Sequence, residues 1–294
     1  MSSDEHQERS LSNLDNSTLR KEPVVLVPVS NPDTEAHLIT LGAAIARHRN
    51  GRLVAVTIVR VPDQVPLETA RDTAEYRDSK DILNAAEKTA ADMEVPIETR
   101  TIFSHNLFKT VFNTAREHEA DLCVLGWGDE LPGVSGRAES LYEELAHSLP
   151  CDLLVFKDRG FDPSKVLLPT TGGPHTDLAA DLAQIFQMEF GSEVTLLHVA
   201  DDPDGGKSFL SSWAAEHNLV DANQRVEVWD IESAIKVVAR EHTMIIIGAT
   251  QTGVLARLAR GSLTLDVLHD VECSVLITER QTERSFFDRI FSRS

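Results

Sequence analysis

The chain has 294 residues, enough for about two globular domains, and a 41% hydrophobic content that can fill ordinary cores. Acidic residues outnumber basic ones 47 to 28, and the resulting net charge of −19 argues against nucleic acid or a general anionic membrane surface as a partner. Three scattered cysteines, Cys123, Cys151 and Cys273, suit neither a disulfide framework nor a zinc site, and no apolar run approaches the roughly 20 residues that span a bilayer.

Residues 1–22 are polar and lack a hydrophobic signal core, so they are expected to be a disordered N-terminal tail of a cytoplasmic protein. The first strand signal is Pro23–Pro28 and the second Gly51–Val59, both short apolar runs of the kind covered on two faces. A mostly polar, Ala-rich stretch from Glu68 to Met93 reads as a long helix. Phe108, Val111, Phe112 and Ala115 then fall at i, i+3, i+4 and i+7, a helical face. The run Leu122–Gly126, a face of Leu141, Leu145 and Leu149, and the run Cys151–Phe156 complete the first half.

After a short linker, Lys157 to Pro163, the same signals return in the same order. Ser164–Pro169 matches Pro23–Pro28, and Gly191–Val199 matches Gly51–Val59. The tetrapeptide Ala115-Arg116-Glu117-His118 recurs as Ala239-Arg240-Glu241-His242, followed by an apolar run to Gly248 as the first is by one to Gly126. Ile231, Ala234, Ile235 and Val238 form the matching helical face, Leu263, Val267 and Val271 another, and Cys273–Thr278 the last strand. Five ordered matches define a duplication, with units at 23–158 and 163–279. The copies differ mainly in length: 75 positions separate Gly51 from Gly126, against 57 between Gly191 and Gly248. Alternating strands and helices with short connections predict parallel sheets with right-handed crossovers.

Two compositional features stand apart. Arg supplies 20 of the 28 basic residues and Lys only 8, which fits either a protein kept soluble in concentrated salt or an acidic mesophilic protein with Arg-rich codons. In the basic tail 280–294, Phe286, Phe287, Ile290 and Phe291 share a helical face flanked by Arg280, Arg284, Arg289 and Arg293. Such a segment docks on a membrane or a partner, or else caps the protein's own core.

The order of motifs resembles the universal stress protein family in a tandem two-domain form, over Pro23 to Glu279. The resemblance rests most on Ile247-Gly248-Ala249-Thr250-Gln251, then Gly261-Ser262, then Cys273-Ser274-Val275-Leu276-Ile277. It implies two α/β, Rossmann-like (adenine nucleotide alpha hydrolase-like) units, each a five-stranded parallel sheet of order 3-2-1-4-5 with helices on both faces. It also implies that the terminal strands of the two units pair edge to edge. Leu168-Pro169-Thr170-Thr171-Gly172-Gly173-Pro174-His175 looks like the opening of universal stress domains fused to membrane transporters.

In such sheets ligands lie where the loops after strands 1 and 4 diverge. In the second unit this places Thr170, Thr171, Gly172, Gly173, His175, Gly248, Ala249, Thr250, Gly261 and Ser262 around a crevice for ATP, another adenine nucleotide or a small anion. Small residues let backbone N–H groups approach an anion at a helix N-terminus; equally, glycine turns serve simply to leave a strand and enter a helix. Nucleotide-binding relatives carry Gly-x2-Gly-x9-Gly-Ser/Thr and an acidic residue after the first strand. Here Gln251 replaces the middle glycine and Thr171 the acid, while Arg257 and Arg260 offer compensating cations.

In the first unit Ser30 stands at the acidic position, Asp129 at the middle glycine, and Glu139 before Ser140. A carboxylate about 4 Å from a phosphate costs on the order of 4 kcal/mol at an effective dielectric of 20, against about 1 kcal/mol from one hydrogen bond. The first unit is therefore expected to be a structural partner. His198 inside an apolar strand reads as a packed histidine rather than a general base, and no catalytic residue is assigned. The expectation is a non-enzymatic regulatory module with a membrane transporter or other protein as partner, through the C-terminal tail, and a pseudo-dimer of its units or a homodimer. Alternatives are a transporter partner without nucleotide binding, a slow ATP hydrolase, and a scaffold with both pockets empty.

Overall fold

A computed structural model describes residues 21–30, 32–62, 64, 74–127, 149–248 and 270–281. The first half comprises β1 (Val24–Pro28), α1 (Pro32–His48), β2 (Arg52–Arg60), α2 (Ala74–Asp92), β3 (Ile97–Ser104), α3 (Leu107–Glu117), β4 (Leu122–Gly126) and β5 (Asp152–Lys157). The second comprises β6 (Lys165–Pro169), α4 (Pro174–Phe190), β7 (Glu193–Val199), α5 (Pro203–Glu216), β8 (Asn223–Glu227), α6 (Ile231–Val238), a 3-10 turn (Ala239–Glu241), β9 (Met244–Gly248) and β10 (Ser274–Glu279). The strand ends fall within two residues of the expected runs. The long helix begins, within the described residues, at Ala74; Glu68 to Thr73 lie outside them, as do residues 1–20 and 282–294.

Local chemistry sets the helix starts. Asn106 opens α3 by accepting the Lys109 N–H at 3.1 Å, and Asp230 opens α6 by accepting that of Ser233 at 2.9 Å. Asp202 caps α5 ahead of Pro203, whose missing N–H costs nothing at a first turn. Helix α4 ends on Gly191, whose φ of 66° is left-handed.

The strands form one ten-stranded sheet ordered β3-β2-β1-β4-β5-β10-β9-β6-β7-β8. Each half therefore has the order 3-2-1-4-5, all parallel within itself. The halves meet at β5 and β10, which run antiparallel with Leu276 opposite Phe156. This seam gives each terminal strand a partner and leaves no open edge there. One hydrophobic layer joins α1, α2, α4 and α5 to the sheet; the other joins α3 and α6. Phe161 from the linker plugs the seam, its ring 6.1 Å from Phe156 and 5.6 Å from Phe190. Across it, Arg47 of α1 donates to Glu189 of α4 at 2.7 Å, and His37 meets Asp158 at 2.6 Å.

In α3, Val111, Phe112 and Ala115 are buried and Phe108 half-buried, as their spacing predicts; Leu141, Leu145, Leu263 and Val267 lie outside the described residues. Ala234, Ile235 and Val238 are in the core, but Ile231 is 37% exposed. As the first residue of α6 it stands beyond the sheet it was expected to cover. Among the described residues no helix is long and apolar enough to cross a membrane.

Candidate anion crevice at the ends of β6 and β9

Strand β6 leads into Thr170-Thr171-Gly172-Gly173 and then α4. Gly172 (φ 82°) and Gly173 (φ 102°) are both left-handed, a pair of conformations that L side chains resist. Thr170, almost fully buried, fixes the loop: its N–H donates to Leu197 O at 2.8 Å, its hydroxyl accepts the Gly172 N–H at 3.1 Å, and its carbonyl contacts His198 Nδ1 at 2.8 Å. His198, with its ring 4.4 Å from that of Phe209, is thus a packing and loop-fixing residue. Gly173 caps α4 without a side-chain bond, so the helix presents its partial positive charge at an uncapped end. The Gly173 carbonyl accepts from the Thr176 hydroxyl at 2.7 Å and from the N–H groups of Thr176 and Asp177.

Gly248, at the end of β9, comes to this loop for a steric reason. A Cβ on it would sit 2.8 Å from Thr176 Cγ2, 2.9 Å from Thr176 N and 3.0 Å from His175 C. The glycine lets the first turn of α4 press onto the strand end, a contact that a motif reading assigns to the ligand. His175 faces the seam: its Nδ1 accepts the Arg280 N–H at 3.2 Å, and its carbonyl accepts the Thr278 hydroxyl at 2.7 Å. Burial, then the Arg280 guanidinium, push the imidazole below its ordinary pKa. Arg280 also donates to Asp181 at 2.8 Å. The sequence pattern assigns Arg280 to the basic tail, whereas the structure sets it against His175 and Asp181; nothing local marks this meeting, because α4 and the end of β10 come together only in the folded sheet.

The structure thus brings together Thr170, Thr171, Gly172, Gly173, His175 and Gly248. Ala249, Thr250, Gly261, Ser262, Arg257 and Arg260 lie outside the described residues, as do Asp129, Glu139 and Ser140 of the first unit; Ser30 is described and exposed. A groove of about 1120 Å³ lies elsewhere, at the opposite ends of β9 and β10, lined among others by His37, Arg159, Lys236, Arg240 and Asp270. Lys236 and Asp270 pair there at 2.6 Å, and Asp162 and Glu272 oppose the remaining arginines, so it lacks the net positive field an anion requires. Among the described residues no group of three His, Cys, Asp or Glu could hold a metal.

A doubly wound parallel sheet with its crevice at the strand ends is a Rossmann-like α/β unit, here present twice. Residues 23–157 match the universal stress protein family profile, and the half that follows repeats the strand order of that unit. The chain is 25% identical over 267 residues to the Na(+)/H(+) antiporter NhaS5 of Synechocystis sp., a match covering 86% of this chain and 38% of that protein. It therefore spans well under half the length of this relative. A universal stress protein from Archaeoglobus fulgidus superposes with a TM-score of 0.61 at 13% identity, over 89% of this chain and 97% of that one. The cytoplasmic domain of a prokaryotic cation chloride cotransporter does so with 0.60 at 11% identity, over 90% and 98%. At such identities the superpositions establish the shared fold.

Proposed function

We propose that this chain is a non-enzymatic regulatory module that acts in the cytoplasm on a membrane transporter of monovalent cations. The observation that carries this reading is the alignment of 86% of the chain with part of a Na(+)/H(+) antiporter. The like architecture of a cotransporter's cytoplasmic domain supports it. The test is sodium-driven proton exchange in everted membrane vesicles from cells with and without the chain. A changed rate or sodium dependence is expected, and superimposable exchange curves overturn the reading.

The second unit's crevice is the proposed input, binding a small anion or an adenine nucleotide. The support is two left-handed glycines leading to an uncapped helix N-terminus. Calorimetric titration with inorganic phosphate and with ATP tests it. Binding of either that is weakened by Gly173→Ala is expected, and no heat from either ligand excludes the crevice as a site. The described crevice residues offer no positioned general base, so no turnover of Mg-ATP is expected.

A further inference from the structure

The C-terminal edge of the second unit exposes apolar side chains that nothing described covers. Val228, Trp229 and Ile231, between β8 and α6, are 55%, 50% and 37% exposed. Carboxylates surround them. Asp230 and Glu232 lie within the same turn, and the Ala200 N–H bond to Glu227 O at 3.0 Å brings the exposed Asp201 and Asp202 alongside. An apolar patch in an acidic rim selects an apolar segment carrying positive charge.

We infer that this patch is the docking site of the chain's own segment 282–294. That segment contributes Phe286, Phe287, Ile290 and Phe291 together with Arg284, Arg289 and Arg293, the complement of the patch in both respects. It also starts on the right edge. Its origin is pinned at the C-terminal end of β10, where the Gln281 N–H donates to Asp152 at 2.8 Å and the Gln281 amide donates to Leu149 O and Pro150 O, each at 3.1 Å. Strands β10, β9, β6, β7 and β8 are consecutive and parallel, so β8 ends on that same edge, four strand spacings or about 19 Å away. With residues 282–285 extended over about 13 Å, the helical turns that follow carry Phe286, Phe287, Ile290 and Phe291 from about 13 to about 22 Å, across the patch.

Two other occupants fit less well. A second copy docking patch to patch would oppose identical acidic rims. An anionic bilayer would be repelled by the same carboxylates. The inference stands apart from the transporter reading, because it concerns contacts within one chain.

Hydrogen–deuterium exchange on the full chain tests it, against a chain ending at Gln281 and a Phe286→Ser/Phe291→Ser variant that keeps the length. Exchange at residues 228–233 is expected to quicken roughly fivefold or more in both variants, with β1 and β6 amides unchanged as the folding control. Trp229→Ala is expected to quicken exchange at 286–291 in return. Equal exchange at 228–233 in all forms overturns the proposal. So does protection that falls on dilution, which assigns the patch to a second copy. Protection of 286–291 that appears only with phosphatidylglycerol vesicles assigns the segment to a membrane, and overturns it too.

Discussion

Gly248→Ala separates packing from ligand binding at the crevice. The added methyl would lie within 3.0 Å of three atoms, two of them backbone atoms of the first turn of α4. That turn cannot yield by rotating a side chain: Thr176 and Asp177 bond back to Gly173 O, and Thr278 holds His175 O. Overpacking against fixed backbone costs about 3 kcal/mol, offset by up to about 1 kcal/mol from the less flexible unfolded chain. A net loss of about 2 kcal/mol lowers the thermal midpoint by roughly 4–8 °C in a chain of this size. Calorimetry and urea unfolding measure it. Adding Thr176→Ser removes the 2.8 Å methyl contact but leaves both backbone contacts, so it should restore only part of the loss. A midpoint unchanged within about 1 °C, with phosphate or ATP binding weakened, refutes the packing argument and makes Gly248 a ligand-facing residue.

The other predictions follow from burial and charge. Glu35 on α1 is 4% exposed, and its Oε1 has no partner among the described residues; burial raises its pKa above 4.5. The native state then holds its proton more tightly than the unfolded chain, so this group lowers stability as pH rises above about 4.5. Glu35→Gln should therefore stabilise at pH 8 and progressively less on acidification; a constant effect across that range contradicts the assignment. His175 works in the opposite sense, because its pKa is depressed in the fold. Its stabilising contribution is complete above about pH 6.5 and fades below it, and His175→Gln, which can still accept from Arg280, should flatten the urea midpoint between pH 7 and 5.5. Burial, then the carboxylates of Asp152 and Asp121, push the Cys151 thiol up to about 12, and burial raises Cys123 as well. Ellman's reagent should label both only on unfolding; because Cys273 is half-buried, prompt labelling of more than one thiol per native chain contradicts this. Phe156→Ala, opposite Leu276 at the seam, should cost about 3–5 kcal/mol and shift one common unfolding transition. A second, unshifted transition would show that the halves unfold separately.

Much of the architecture was legible in the chain, because a strand covered on both faces must be apolar throughout and a surface helix must repeat its apolar positions. The runs Leu122–Gly126 and Met244–Gly248 are strands with the bounds their residues imply. The recurrence of Ala-Arg-Glu-His ahead of both also marked the duplication. Ile231 shows the limit: periodicity assigns it a face, but only its place at the first turn, beyond the sheet, leaves it exposed. The crevice was legible in part. The left-handed glycines follow from Thr-Thr-Gly-Gly-Pro, because only glycine adopts those angles freely.

What the sequence determined by itself is the local and repeated content of this protein: which segments are buried on two faces, which stretches carry a helical face, and that the pattern occurs twice. Those properties depend on near neighbours along the chain. The tertiary structure alone decided that Gly248 is spent on the first turn of α4, that His175 answers Arg280, and that Trp229 stands in an acidic rim on the same edge from which the C-terminal segment departs. Each of these joins residues tens of positions apart or more, or places one against the rest of the sheet. Such meetings are set by strand order and register, which no local window contains.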